Sequence, residues 1–521
     1  MEAALGEKDL TPAEKKCILI EAEINECGMG KYQWQIWFLC GFGYLIDLLW
    51  AQAFGLVLGP LGQELGFQGP ESGNISVAFS SGLTIGAFTW GVLVDIIGRK
   101  WAFNLTCFFS AIFGLALGGC NTYTSFLVVT ACVGFGVGGN IPIDTTICLE
   151  FIPQNRRFLL ALLSIFQPIG VVITCAVAYG FIPNYSCEPD FSRSDYLKAC
   201  NLVPEGEPCC QPKDNRGWRY LMFTLGGITL IAFFLRFVVF NFKESPKFLV
   251  HQGKDAEAVR VLEHIAQING KKCSVSIEDF KAIEDEPSAD KVDFNWRQKR
   301  AWASKLSVVR AKYGQLFASW QMARLTILVW LTYVCDASGF TLAGTFLPVI
   351  LANKNGAIDL PLEFTYRSYF AIYTPGIVAV ALAATLTKFP QIGRRLTMII
   401  SSALMGISII LFSLANDQAS NIGLNAMEYF FQSMFNAVLY GWTPEVFPTT
   451  VRGTASGVAS FWGRLFSIIT PIIANSILPA EGLKNEAAVK KILYFAGGIT
   501  MGCVVTIALM PHKALRKQIG K

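Results

Sequence analysis

The chain has 521 residues, of which 53% are hydrophobic and only 16% are charged, and its mean hydropathy is +0.44. A soluble domain carries about 25% charged residues, so these charges are too few to cover a soluble multidomain protein of this length. The net charge of +5, with no long basic run, argues against nucleic-acid binding. The composition therefore indicates an integral membrane protein embedded in a lipid bilayer.

Apolar runs long enough to cross a membrane recur along the whole chain. A hydrocarbon core of ~30 Å requires about 20 residues in a helix. We predict an all-α membrane protein with twelve transmembrane helices. The predicted spans are 34–58, 74–97, 101–119, 123–149, 158–182, 218–241, 324–350, 367–388, 396–415, 422–446, 455–478 and 489–510.

Arginine and lysine mark one side of the predicted bundle. They occur in the second, fourth, eighth and tenth connections, whereas the first, third and ninth connections have none. Because basic loops remain on the cytoplasmic side, we expect both termini in the cytoplasm. The protein is expected to be a multi-pass protein of the plasma membrane, with an organelle membrane as the alternative.

The fifth connection, residues 183–217, then faces the exoplasmic side. It contains four cysteines, which are expected to form disulfides in an oxidising compartment. Four cysteines allow three pairings, and the sequence does not choose among them. The candidates are Cys187, Cys200, Cys209 and Cys210.

The two halves of the chain repeat short motifs at one fixed spacing. Gly-Arg-Lys at 98–100 recurs as Gly-Arg-Arg at 393–395, and Glu-x-x-Pro-x-x-x-Arg at 150–157 recurs at 445–452. Each second copy begins 295 residues after the first. A single offset shared by two motifs predicts two pseudo-symmetric six-helix halves in parallel orientation.

These boundaries predict the domain organisation. Apolar residues at helical spacing within 256–268 also predict short amphipathic helices in the long central connection. The predicted parts are a cytoplasmic N-terminal tail (1–33), an N-terminal half (34–242), a cytoplasmic linker (243–323), a C-terminal half (324–510) and a cytoplasmic tail (511–521).

Three motifs carry a family resemblance. Residues 91–100, GVLVDIIGRK, resemble the signature loop of the major facilitator superfamily. Residues 243–249, KESPKFL, resemble the motif after helix six of its sugar porters, and residues 444–454, PEVFPTTVRGT, resemble organic-ion and synaptic-vesicle-like transporters. The resemblance spans essentially the whole chain and implies the fold of this superfamily and a transport function. In the second half, Leu386 and Pro390 replace the glycine and aspartate of the signature.

The resemblance also implies a cytoplasmic gate of ion pairs, which would hold the halves together and break when the cavity opens inward. The alternative is that these residues only fix the topology. Because the second-half signature lacks the acid, such a gate would be asymmetric. The predicted gate residues are Gly91, Asp95, Gly98, Arg99, Lys100, Glu150, Arg157, Arg394, Glu445 and Arg452.

Three ionisable residues lie near the middle of predicted spans and are site candidates, because a charge at membrane depth must be paired or hydrated. Asp47, Asp336 and Arg464 are predicted to meet in one central cavity. Residues 463–471, GRLFSIITP, resemble helix 11 of organic-anion transporters, where a basic residue favours anions. A guanidinium can bind a carboxylate in a bidentate fork, and the alternative for Arg464 is an ion pair with an intramembrane aspartate.

Asp47 and Asp144 are the candidates for proton coupling, since a buried carboxylate can load and unload a proton. Proton-coupled sugar porters use an acid in helix 1, but they also place an arginine in helix 4, where this chain has none. Asp144 shares a helix face with Asn140. Arg236 and Glu428, nearer helix ends, are predicted to snorkel to the membrane interface.

Other polar and aromatic residues of the central spans complete the predicted cavity. Each has packing as its alternative role. The predicted substrate-binding residues are Arg464, Asp336, Asn140, Gln167, Asn436, Tyr440 and Trp442.

Together these features predict a monomeric secondary active transporter that moves a small polar organic solute, preferably an organic anion, by alternating access and proton symport. A sugar or polyol symporter, a cationic drug or amine exporter, and a non-transporting sensor are the alternatives. A cavity without an unpaired arginine would favour the sugar symporter. The spans contain no nucleophile–base pair or metal-ligand set, so we predict no enzyme activity, no cofactor and no metal.

Overall fold

The structure is a computed structural model that describes residues 12–67, 69–156, 158–236, 243–285, 313–314, 316–386, 393–447, 452–479 and 482–511. Within these ranges every regular element is a helix. The helices of the N-terminal half are α1 (Pro12–Cys27), α2 (Lys31–Leu65), α3 (Asn74–Ile97), α4 (Arg99–Leu117), α5 (Tyr123–Val137), α6 (Asn140–Phe151), α7 (Phe158–Leu162), α8 (Phe166–Phe181) and α9 (Gly217–Phe234).

The linker and the C-terminal half continue this pattern. Their helices are α10 (Pro246–His251), α11 (Asp255–Ile268), α12 (Ile277–Asp285), α13 (Trp320–Gly356), α14 (Leu362–Tyr373), α15 (Pro375–Leu386), α16 (Gly393–Phe412), α17 (Gln418–Val446), α18 (Arg452–Ile477) and α19 (Glu486–Ala508).

Each predicted span overlaps one or two of these helices within the described residues. In the described ranges, ten helical segments are long and apolar enough to cross a membrane, and the long helices α3 and α17 occupy the positions of the second and tenth spans. The fourth, fifth and eighth spans are each built from two consecutive helices, α5–α6, α7–α8 and α14–α15. The protein is therefore an all-α membrane protein of the predicted class.

Glycines bring α3 and α5 into backbone contact. A Cβ on Gly82 or Gly86 of α3 would lie 2.0 or 2.2 Å from a carbonyl oxygen of α5. A Cβ on Gly134 of α5, or on Gly138 directly after it, would lie 2.4 or 2.3 Å from a carbonyl oxygen of α3. Small residues on both helices thus allow the close approach that is common between membrane helices. This packing fixes α3, which forms one wall of the cavity described below.

The linker helices pack against α1 beside the membrane-spanning bundle. Ile20 and Ile24 of α1 share a small core with Leu249, Leu262 and Phe280 of the linker. Burying these apolar side chains stabilises the cluster. An ion pair between Lys16 of α1 and Asp255 of α11 also joins the two helices. We call this side of the bundle the linker end.

The two halves contact each other at the opposite end, which carries the disulfide-bonded segment 187–210 and is called the disulfide end. Tyr366 Oη of α14 donates to the Leu56 carbonyl of α2 at 2.7 Å. Gln52 Nε2 of α2 donates to Tyr373 Oη of α14 at 3.0 Å. Both bonds are buried, so they hold α2 firmly against the C-terminal half in this conformation.

Candidate functional site

A cavity of about 120 Å³ lies between the two halves and is large enough for several waters or a small solute. Helices α2, α3 and α8 line it from the N-terminal half, and α13, α17 and α18 line it from the C-terminal half. Its polar lining is Asp47, Gln52, Ser76, Ser80, Thr341, Thr345, Arg464 and Ser467, and its aromatic lining is Phe54, Phe79, Phe340 and Tyr429.

Arg464 and Asp47 share this cavity from opposite halves. Arg464 Nη1 donates to the Leu83 carbonyl of α3 at 3.2 Å, which ties the guanidinium to the cavity wall. Arg464 lies close enough to Asp47 for an electrostatic interaction. In the part of the chain that the structure describes, no carboxylate oxygen lies within 4.0 Å of this guanidinium. The arginine can therefore accept a further anionic partner from the cavity.

Asp336 lies outside the cavity lining, which contains the other two charges predicted to meet there. Its side chain is buried, and the amide nitrogen of Asn436 donates to its two oxygens at 3.0 and 2.9 Å in the amide orientation that satisfies both groups. This contact joins α13 to α17. The arrangement gives Asp336 a partner within its own half.

Four more predicted substrate contacts occupy different surroundings. Gln167 and Asn436 line a second, much smaller cavity of about 10 Å³, next to the first. Tyr440 is partly exposed, with its ring 6.0 Å from that of Tyr333. Trp442 is buried in the hydrophobic core of the C-terminal half. Neither Tyr440 nor Trp442 lines either cavity.

Asp144 forms a fully buried ion pair with Arg236. Asp144 Oδ2 lies 3.5 Å from Arg236 Nη2, and both side chains are 0% exposed. The guanidinium also stacks on the Phe103 ring at 3.9 Å and donates to the Leu39 carbonyl at 3.2 Å. Asn140, one turn away, is buried with both amide atoms lacking a hydrogen-bond partner in the described structure.

The prediction that Arg236 and Glu428 snorkel to the interface is wrong. Arg236 is fully buried by its contacts with α2, α4 and α6, and Glu428 is only 5% exposed. Position along the helix suggested an interface, but neighbouring helices cover both side chains. Arg236 is thus a partner of Asp144 that the sequence does not indicate.

Gly43 provides the space for this buried pair. A Cβ at Gly43 would lie 1.6 Å from Asp144 Oδ2 and 2.8 Å from Arg236 Nη2. We therefore expect Gly43→Ala to destabilise the protein by about 1–3 kcal/mol, because the added methyl group overpacks the site. Thermal unfolding in detergent measures this loss. Gly227→Ala on α9, where a Cβ meets nothing within 4 Å, is the matched control and should unfold like the unmodified protein.

Part of the predicted gate lies at the linker end of the N-terminal half. Arg99 Nη2 lies 3.3 Å from Glu150 Oε1, and the Arg99 guanidinium covers the Phe248 ring at 4.5 Å. Gly98 has a φ of +97°, which favours glycine at this turn. Glu244 accepts hydrogen bonds from the backbone N–H groups of Arg99 and Lys100 at the start of α4, a role that the KESPKFL motif alone does not indicate.

For the remaining gate candidates the structure shows mainly their place in the helices. Gly91 lies in α3, Lys100 follows Arg99 in the first turn of α4, and Arg394 lies in the first turn of α16. Arg157 lies outside the described residues, as do the side chains of Asp95, Glu445 and Arg452. The described ion pair of Arg99 and Glu150 joins helices of one half.

The four loop cysteines form two disulfides. Cys187 is bonded to Cys210, and Cys200 is bonded to Cys209. The structure thus selects one of the three pairings that the sequence left open.

Comparisons with known proteins agree with this architecture. Residues 52–518 match the family described as Sugar (and other) transporter. The chain is 36% identical to MFS siderochrome iron transporter 1 of Ceriporiopsis subvermispora (strain B), over 96% of this chain and 91% of the relative. It is 24% identical to the Niacin transporter NiaP of Acinetobacter baylyi, over 88% of this chain and 90% of the relative.

A solved structure shares the fold. The xylose transporter XylE from E. coli, in a partially occluded inward open conformation, superposes with a TM-score of 0.64 at 13% identity, covering 92% of this chain and 100% of XylE. These matches cover nearly the whole chain and identify a transporter, not an enzyme. The chain therefore belongs to the sugar (and other) transporter family of the major facilitator superfamily.

Proposed function

We propose that the protein moves a small organic anion across the membrane together with a proton. The observation that carries this proposal is Arg464, a cavity-lining cation with no carboxylate within 4.0 Å among the described residues. A guanidinium in a low-dielectric cavity binds a carboxylate strongly and in a defined orientation. An uncharged sugar gives this arginine no comparable partner.

Asp47 supplies the coupling in this proposal. When Asp47 is ionised, its charge and that of Arg464 offset each other across the empty cavity. When Asp47 is protonated, Arg464 is left free to bind the anion. Proton and anion then bind together, and the loaded and empty cavities carry the same net charge, which favours crossing the membrane in both directions of the cycle.

The aromatic lining narrows the substrate class. Phe54, Phe79 and Phe340 face the same space as Arg464. Aromatic side chains pack favourably on planar rings, while the arginine binds the acid group. The niacin named for one relative is a pyridine carboxylic acid and combines these two features. We propose small aromatic monocarboxylates as the first substrates to test.

A sugar or polyol symporter is the second candidate. Hydroxyl and amide groups also line the cavity, and they suit a ligand with many hydroxyl groups. They include the side chains of Gln52, Ser76, Ser80, Thr341 and Ser467. The family description, which names sugar transporters, supports this candidate too.

The proposed placement is a monomer in the plasma membrane with both termini in the cytoplasm. The basic connections at the linker end and the disulfides at the opposite end support this orientation.

Uptake into proteoliposomes under an imposed pH gradient tests the function. The panel contains nicotinate, benzoate, succinate, glucose, an organic amine and an iron siderochrome. We expect accumulation of a monocarboxylate that collapses when the pH gradient is dissipated. Accumulation of glucose alone would support the second candidate, and accumulation of the iron chelate would show that a cavity of this size is not the whole binding site.

A further inference from the structure

The connection between α8 and α9 forms a braced segment at the disulfide end. Two disulfides cross-link it, and Cys210 N donates to the Lys198 carbonyl at 2.9 Å. Such cross-links restrict a segment to few conformations. We call residues 187–210 the strap.

One side of the strap is fastened to α2 of the N-terminal half. Gln63 Nε2 donates to the Pro189 carbonyl at 2.8 Å. The buried Phe191 ring occupies the space beside Gly59, where a Cβ would lie 2.2 Å from the ring. The strap and the end of α2 therefore form one packed unit.

The other side of the strap touches the C-terminal half at Gly356, the last residue of α13. A Cβ at Gly356 would lie 2.4 Å from the Ser192 carbonyl oxygen and 2.7 Å from its carbonyl carbon. These are backbone atoms of a cross-linked segment, which cannot move aside as a flexible side chain would. Because glycine has no side chain, Gly356 allows the backbone of the strap to lie directly against the end of α13. We call this contact the Gly356 socket.

Polar contacts surround this socket. Lys484, between α18 and α19, donates to the Arg193 carbonyl at 2.7 Å, and its ammonium lies 3.5 Å from the centre of the Tyr196 ring. Arg193 Nη2 lies 3.2 Å from Asp359 Oδ1. This ion pair is exposed to solvent and therefore contributes little to the free energy of the contact. Contacts of the strap with the C-terminal half therefore depend mainly on Gly356 and Lys484.

We propose that the strap is a gate of the transport cycle, which travels with the N-terminal half and closes the disulfide end by docking on Gly356 and Lys484. In alternating access the two halves separate at one end at a time. Separation at the disulfide end must break the docking contacts, while the contacts with α2 stay within one half. The strap then stabilises the conformation that is closed at this end, and its loss shifts the population.

Distances between spin labels at the disulfide end test the gate without any substrate. Genetically encoded labels replace Asn121 of the N-terminal half and Leu414 of the C-terminal half, which both lie at exposed positions. Double electron–electron resonance is recorded on the full chain in lipid nanodiscs. We expect Gly356→Ala to shift the distribution to longer distances, and Lys484→Met to shift it in the same direction by less.

Gly423→Ala is the matched control, because a Cβ there meets nothing within 4 Å. Longer distances in both docking variants, with the control unchanged, support the gate. Distributions identical to that of the control in either correctly folded variant overturn it. If Gly356→Ala does not fold, Lys484→Met decides alone. Failure of anion transport leaves this readout untouched, so the gate and the proposed substrate are tested separately.

Discussion

Replacing Arg464 by glutamine is expected to lower kcat/KM for uptake of an aromatic carboxylate about 100-fold. The guanidinium offers the substrate a charge-assisted pair of hydrogen bonds, and an interaction of about 3 kcal/mol corresponds to that factor. Glutamine keeps some hydrogen-bonding capacity but has no charge to compensate for desolvation of the anion. Initial uptake rates in proteoliposomes, measured over a range of substrate concentrations, give the value.

Two further variants sharpen the result. Arg464→Lys keeps the positive charge but loses the planar fork, so a decrease of about tenfold is expected. Arg367→Gln, which removes an exposed arginine of α14, is the matched control and should transport normally. Carboxylate uptake that survives Arg464→Gln would contradict anion binding at this residue. A variant that still accumulates glucose but no carboxylate would show that the defect is specific to anions.

The membrane spans and the two charged residues of the cavity could be predicted because both leave a clear local pattern in the sequence. A run of apolar residues must be helical to satisfy its backbone in lipid, and a charge within such a run is conspicuous. Asp47 and Arg464 were found in this way, and the structure places both on one cavity. The repeat at 98–100 and 393–395 added the two-half architecture.

The partners of the charges could not be predicted in the same way. Whether Arg236 reaches lipid or protein depends on the rotation of α9 against its neighbours, which no local pattern specifies. The contact between Asp336 and Asn436, which are 100 residues apart in sequence, likewise depends on the register of their two helices. Gly43 looks like one of many membrane glycines until its distance to the Asp144 carboxylate is known.

Asp47→Asn is expected to abolish accumulation driven by a pH gradient while leaving substrate exchange intact. Asparagine has nearly the same size as the protonated acid but cannot release a proton, so it mimics the state that binds the anion. A transporter held in that state can carry substrate in both directions and cannot couple it to protons. Uptake under an imposed pH gradient and counterflow of labelled substrate at equal pH measure the two activities separately.

Asp144→Asn supplies the sharpest contrast to this variant. Asp144 is paired with Arg236 inside the N-terminal half, and removal of one partner from a buried pair costs about 3–5 kcal/mol. We therefore expect Asp144→Asn to lower thermal stability and to reduce pH-driven uptake and counterflow by the same factor. Equal loss of both activities in Asp47→Asn would refute its role as proton carrier. If Asp144→Asn instead lost pH-driven uptake but kept counterflow, Asp144 and not Asp47 would be the proton carrier. Only the loss of a group that releases a proton is expected to affect these two activities differently.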